Sequence, residues 1–224
     1  MDGATVMQEF NLRMFDKSVL SAQEREEYYS THAPILMPNS SLRQYRLLLA
    51  KGVMVTLKVR ICKPEDLTKF LVRFKPIACY QTISCWSNPE LLTNNGNPHN
   101  GGYKLLSNLF LYSDYLLDID EHDCTKDNLE RIDKYTKPFE RTIVRTGTGY
   151  HVWLHNWMDD FYSSSPYNRE KHAHREMEKL TDYFKGNGLS FDFSVSEDTR
   201  RIARVPNTLH QNGRVCKILD EFGY

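Results

Sequence analysis

The chain has 224 residues, 40% hydrophobic and 12% aromatic, enough for one substantial domain or two small modules sharing a core. Lys+Arg and Asp+Glu both total 29, so no overall basic field announces a nucleic-acid partner. Five cysteines without a Cys-x-x-Cys pair argue against a disulfide framework and for a reducing compartment.

The opening MDGATVMQEF carries an early acid and no long apolar run, and nowhere do about eighteen apolar residues follow one another. A cytoplasmic protein, or a nuclear one in a eukaryote, is expected, neither secreted nor bound to a membrane. Ser21-Ala-Gln-Glu24 reads as a capping box, opening a helix to about His32. Two strands, 44–50 and 53–61, are predicted around a Lys51-Gly52 turn. Pro64 at a first helical position opens a helix through Phe74, and 77–85 reads as another strand. The stretch 86–102, rich in Asn, Gly and Pro, is expected to be irregular, either a divider between modules or a working loop.

The second half reads as strand 114–120, helix 126–138 behind Thr125, strand 141–146, a Gly-Thr-Gly turn, strand 150–155, and helix 168–185 closed by Gly186. Either 199–205 or 214–219 would supply a last strand. This order predicts an α+β fold with a ferredoxin-like split βαβ sheet, helices covering one face and leaving the other for a site.

Charge is unevenly spread. Residues 118–130 hold Asp118, Asp120, Glu121, Asp123, Asp127 and Glu130 against Lys126 alone, while 199–217 holds Arg200, Arg201, Arg204, Arg214 and Lys217 with no acid. SDYLLDID, 113–120, places Asp118 and Asp120 on one face of a strand, about 7 Å apart along the chain. Like charges that close suit a hard divalent cation, although strand-end acids also serve turns and caps. TGTGYHVW, 146–153, offers glycines for a close backbone approach, the hydroxyls of Thr146 and Thr148 for phosphate oxygens, and His151 on a face with Trp153 and His155. The alternative is a hairpin with a satisfied histidine. Asp192, between two phenylalanines, needs a partner such as a cation. Downstream, Arg201 and Arg204 can fork onto phosphates, and His210 adds a donor or acceptor. His172 and His174 face different ways on a helix, and Cys79, Cys85 and His99 match no zinc knuckle, so no zinc site is expected.

Taken in order, YLLDID, TGTGYH and FD with RRIARVPNTLH resemble the three motifs of the archaeo-eukaryotic primase superfamily, the catalytic core of primase small subunits and primase-polymerases. The resemblance is strongest over 105–219. It implies one catalytic domain across 1–224, with an RRM-like module, 105–224, packed on an N-terminal α/β module, 1–104. It further implies Asp118, Asp120 and Asp192 as catalytic ligands of Mg²⁺ or Mn²⁺, and Thr146, Thr148, His151, Arg201, Arg204 and His210 as nucleotide contacts. The implied partners are NTP or dNTP, a single-stranded DNA template, and a large primase subunit or replicative helicase. Lys58, Arg60, Arg73 and Lys75 are candidate template contacts. The glycine turn is one residue shorter than in cellular primases and lacks their arginine pair, which shifts triphosphate binding toward Arg201 and Arg204. The gap between Asp120 and Thr146 leaves no room for a zinc-bearing insertion. The rival readings are a primase-like binding subunit without catalysis and an Asp-x-Asp glycosyltransferase.

Overall fold

The computed structural model describes residues 20–92, 108–158, 165 and 168–223. Helix α1, Ala22–Thr31, starts where the capping box requires: the Ser21 amide donates to Glu24 Oε2 at 2.7 Å and the Glu24 amide to Ser21 Oγ at 3.2 Å. Strands β1 (Tyr45–Leu48) and β2 (Met54–Thr56) flank the expected turn, with Gly52 at a φ of 75°. Helix α2 is Pro64–Phe74, its proline at the first turn. The predicted strand 77–85 divides into β3 (Ala78–Thr82) and β4 (Ser84–Trp86), and β4 pairs with β5 (Phe110–Ser113). A short 3-10 turn covers Pro89–Leu91. The rest of the predicted loop, with His99 and the module boundary near residue 104, lies outside the described residues.

The second half follows its predicted order: β6 (Tyr115–Ile119), α3 (Lys126–Thr136), β7 (Glu140–Arg145), β8 (Tyr150–His155) and α4 (Arg169–Gly186). A single turn, α5 (Phe193–Ser196), and strands β9 (Ile202–Arg204) and β10 (Lys217–Leu219) complete it.

These strands form two four-stranded antiparallel sheets, β2-β1-β3-β9 and β10-β7-β8-β6. In the second, β8 runs antiparallel to both β6 and β7, so β6 and β7 are parallel around it, which is the split βαβ arrangement. Both candidates for a last strand are strands, but in different sheets: β9 pairs with β3 and β10 with β7. A ferredoxin-like sheet places its last strand beside its first, and here that position is filled differently. The Asp192 amide donates to the Asp118 carbonyl at 2.8 Å and α5 packs on β6, so the outer edge of β6 is occupied and β10 adds at the far edge.

Each sheet buries one face under helices. Tyr45, Leu47 and Cys79 of the first sheet pack with Tyr29, Leu67 and Leu71 of α1 and α2. On the second, Leu117 and Ile119 pack with Leu129, Ile132, Met177 and Phe184, and the Tyr115 hydroxyl lies 2.8 Å from Thr181 Oγ1 of α4. Between the two sheets, Arg43 is fully buried. It reaches Asp114 Oδ2 at 2.6 Å, donates to the carbonyls of Thr82 and Ile83, and lies over the Trp153 ring at 5.5 Å. A buried guanidinium persists when its donors are matched in this way. The polar face of the second sheet is thereby held against the first. Among the described residues no helix is long and apolar enough to cross a membrane.

Candidate functional site

The polar face of the second sheet carries the predicted acid and histidine side by side. Ladder register makes Asp118 of β6 the direct partner of His151 of β8, and His151 Nε2 lies 3.4 Å from Asp118 Oδ1. His151, Trp153 and His155 share this face, as strand alternation requires. Farther along, buried His155 meets Asp114 Oδ1 through Nδ1 at 3.2 Å and Thr142 through Nε2 at 2.9 Å. That second acid–histidine pair is closed to solvent and belongs to the core.

Arg201 arrives from the segment before β9, and its Nη2 donates to Asp118 Oδ2 at 3.1 Å. Burial alone would raise the Asp118 pKa, but the hydrogen bond and charge of His151, with Arg201 beside it, outweigh burial and hold the carboxyl down at about 2. Asp118 is therefore ionised with a cationic group already on it.

The glycine turn joins the separate motifs. The Thr146 amide donates to the Gly149 carbonyl at 2.8 Å and Thr146 Oγ1 accepts from the Gly149 amide at 3.0 Å, which leaves the hydroxyl proton for another acceptor. A Cβ on Gly149 would lie 2.0 Å from the Ile119 carbonyl oxygen, and one on Gly147 would lie 2.2 Å from His210 Nδ1. The two glycines thus let the turn press against the end of β6 on one side and the His210 turn on the other. Asn212 Nδ2 and Arg214 Nη1 both donate to the Gly147 carbonyl, at 3.1 and 2.9 Å, and fix it there. Thr148 is exposed at the tip.

His210 is 7% exposed, and its Nδ1 accepts from the Asn212 amide at 3.2 Å, so the neutral ring carries its proton on Nε2. Burial, then the positive charges of Arg204, His151 and Arg214, push its pKa down to about 4, against a smaller upward pull from Asn212. Arg204 is 9% exposed, pairs with no carboxylate among the described residues, and leaves Nη1 without a hydrogen-bond partner. His151 Nδ1 and Arg201 Nε are likewise buried without one. Arg204 and Arg201 thus each keep a buried N–H that no described residue accepts, and an anionic ligand would supply the acceptor.

The other predicted acids lie close by, differently engaged. Asp120 is exposed just beyond β6 and begins a 3-10 turn over Glu121–Asp123. Asp192 is joined to Asp118 through the backbone, but its carboxylate caps α5, accepting from the amides of Ser194 at 3.1 Å and Val195 at 3.4 Å and from Ser194 Oγ at 2.7 Å. Its expected partner is supplied by helix-start donors. Among the described residues no three His, Cys, Asp or Glu side chains are gathered as a metal cluster. The donor chemistry nonetheless suits a hard divalent cation: the three carboxylates stand on adjoining backbone, and Asp118 already draws a guanidinium.

The candidate template contacts bind within the chain. Lys58 donates to the Leu92 carbonyl at 2.6 Å, Arg60 to Ser87 and Asn88, Lys75 pairs with Glu26, and Arg73 lies over Phe74. Sequence reasoning missed Tyr80, whose ring lies 4.2 Å from the Arg204 guanidinium carbon, and the Asn212 and Arg214 donors behind the glycine turn. Nothing local to either stretch signals those pairings. A cavity of about 610 Å³ adjoins α5, lined by Glu170, His174, Ser194, Glu197 and Arg200 among others, and none of the predicted site residues lines it. No protein-family model matches the chain, and no curated protein is significantly similar to it.

Proposed function

We propose that the protein is a template-directed nucleotidyltransferase of the primase or primase-polymerase type, joining NTPs or dNTPs on single-stranded DNA. The observation that carries this reading is Arg204, a buried guanidinium with no acid among the described residues to pair it, whose charge acts on His210 while His151 and Arg201 hold Asp118 ionised. A binding site for a polyanion next to a carboxylate is what phosphoryl transfer requires, since its catalysis is mostly positioning and charge stabilisation.

In this reading Arg204, Arg201 and the Nε2–H of His210 hold the triphosphate. Gly147 and Gly149 bring the Thr146–Thr148 backbone within reach, and the Thr146 hydroxyl donates its free proton to a phosphate oxygen. Asp118 fixes the His151 ring through Nε2, and its Nδ1, an acceptor in the neutral ring, donates to a phosphate oxygen only when the ring carries both protons. Asp118, Asp120 and Asp192 would hold Mg²⁺ or Mn²⁺, which when bound supplies activation of the attacking hydroxyl and neutralises charge on the leaving pyrophosphate. Arg201 must then leave Asp118 free, and the incoming phosphates are a competing partner for its guanidinium.

A second reading, phosphate or strand binding without catalysis, is favoured by one observation: the Asp192 carboxylate is engaged as a helix cap and Asp118 as an ion pair. Incorporation of labelled NTPs and dNTPs on single-stranded DNA, with and without a primer, decides between them. Asp118→Ala and Arg204→Ala should each abolish incorporation. Undiminished activity in either overturns the catalytic reading, and strand binding by the wild type without incorporation under Mg²⁺ or Mn²⁺ establishes the second.

A further inference from the structure

Strand register places Tyr80 in the middle of a row across the first sheet. It is the direct cross-strand partner of Arg46 on β1 and of Arg204 on β9. The row continues through Arg46 to Thr56 on β2. All lie on the face opposite Tyr45, Leu47 and Cys79, which pack under α1 and α2.

The two arginines beside Tyr80 are held differently. Arg46 Nε donates to Gln44 Oε1 at 3.0 Å, and Gln44 in turn donates to the carbonyls of Pro89 and Leu92, at 2.9 Å each. Among the described residues Arg204 has no such chain. It is 9% exposed, and the Tyr80 ring, its centroid 4.2 Å from the guanidinium carbon, gives that cation a favourable contact. A desolvated cation over an aromatic face is attracted by the ring quadrupole, and stacking leaves the N–H edges of the fork free to point elsewhere. Ion pairing with a carboxylate would instead consume those edges. The ring therefore stabilises Arg204 while preserving its donors.

We infer that Tyr80 is a positioning residue for the phosphate site: its ring holds Arg204 in a donor-out orientation, so that polyphosphate meets a preorganised fork. This rests on the reading of Arg204 as a phosphate ligand. The hydroxyl is not required, only the flat aromatic face, and the effect passes entirely through Arg204.

A double-mutant cycle on the full chain tests this, with inorganic tripolyphosphate as the probe, divalent metal removed, and binding followed by calorimetry. Arg204→Ala should weaken binding at least tenfold. Tyr80→Leu should weaken it about 3- to 30-fold in the wild-type background, the span of cation–π contacts from exposed to desolvated. Tyr80→Phe should bind within about twofold of wild type, and Tyr80→Leu should add nothing in the Arg204→Ala background. Equal losses from Tyr80→Leu in both backgrounds, or a Tyr80→Phe as weak as Tyr80→Leu, overturn the role given to Tyr80. No loss from Arg204→Ala overturns the phosphate-site reading itself. Thermal melts of each variant show whether the strand is intact, and Tyr80→Trp, which keeps an aromatic face, should retain affinity if Tyr80→Leu proves unstable.

Discussion

Arg201 and Asp118 are joined by a 3.1 Å hydrogen bond between Nη2 and Oδ2, while His151 takes the other carboxylate oxygen. The guanidinium holds a position on Asp118 that a divalent cation would need. Arg201→Gln should therefore tighten Mn²⁺ binding several-fold, measured by the loss of free-Mn²⁺ spin-resonance signal, while weakening tripolyphosphate. Asp118→Asn should remove Mn²⁺ binding in either background. An Arg201→Gln variant that binds Mn²⁺ no better than wild type would show that the two cations do not compete.

Asp192 has two separable roles, cap and candidate ligand. Asp192→Ala removes both and should cost about 1 kcal/mol of stability, as loss of an N-cap does. Asp192→Ser keeps a capping oxygen for the Ser194 and Val195 amides but no carboxylate. Urea melts should place Asp192→Ser close to wild type, while nucleotide incorporation is lost in both variants. Activity retained in Asp192→Ser would assign the residue to capping alone.

The two glycines of the turn should fail differently. A Cβ at Gly149 meets the Ile119 backbone, which cannot rotate away, so Gly149→Ala should destabilise the fold by about 3 kcal/mol in chemical denaturation. At Gly147 the obstruction is the His210 ring and the Asn212 side chain, which can move. Gly147→Ala should melt nearer to wild type and lose tripolyphosphate affinity, because His210 is displaced.

His210 sets a pH window. Its folded pKa is lowered from 6.5 to about 4, so as pH falls below about 6.5 the unfolded chain takes up a proton that the folded protein refuses. The His210 contribution to stability is present above that range, declines as pH falls toward 4, and levels off below it. A bound polyanion counters the charges of Arg204 and Arg214 and should draw a proton onto His210. Calorimetry of tripolyphosphate binding at pH 5.5 in buffers of different ionisation enthalpy should show proton uptake, greatly reduced in His210→Gln.

What the sequence determined by itself is what neighbours along the chain decide. The Ser21 and Thr125 caps, Pro64 at a helix start, the turn at Gly52, and the alternation that puts His151 and Trp153 on one face all act within a few residues, so their signals survive in one dimension. The candidate site was legible to the same depth: its acids, glycine turn and arginines could be picked out, and of these His151, Arg201 and the Asp192 amide meet Asp118 directly. Tertiary structure alone decided which partner each one takes. The same Asp192 could have bound a cation or capped a turn, and the donors at the start of α5 settled its conformation. Residues 202–204 and 217–219 read alike, yet pair in different sheets because one edge of β6 is already taken. Tyr80 met Arg204, and Arg43 met Asp114 and Trp153, through register and sheet packing. Such contacts depend on which strands adjoin, and no local pattern encodes that choice.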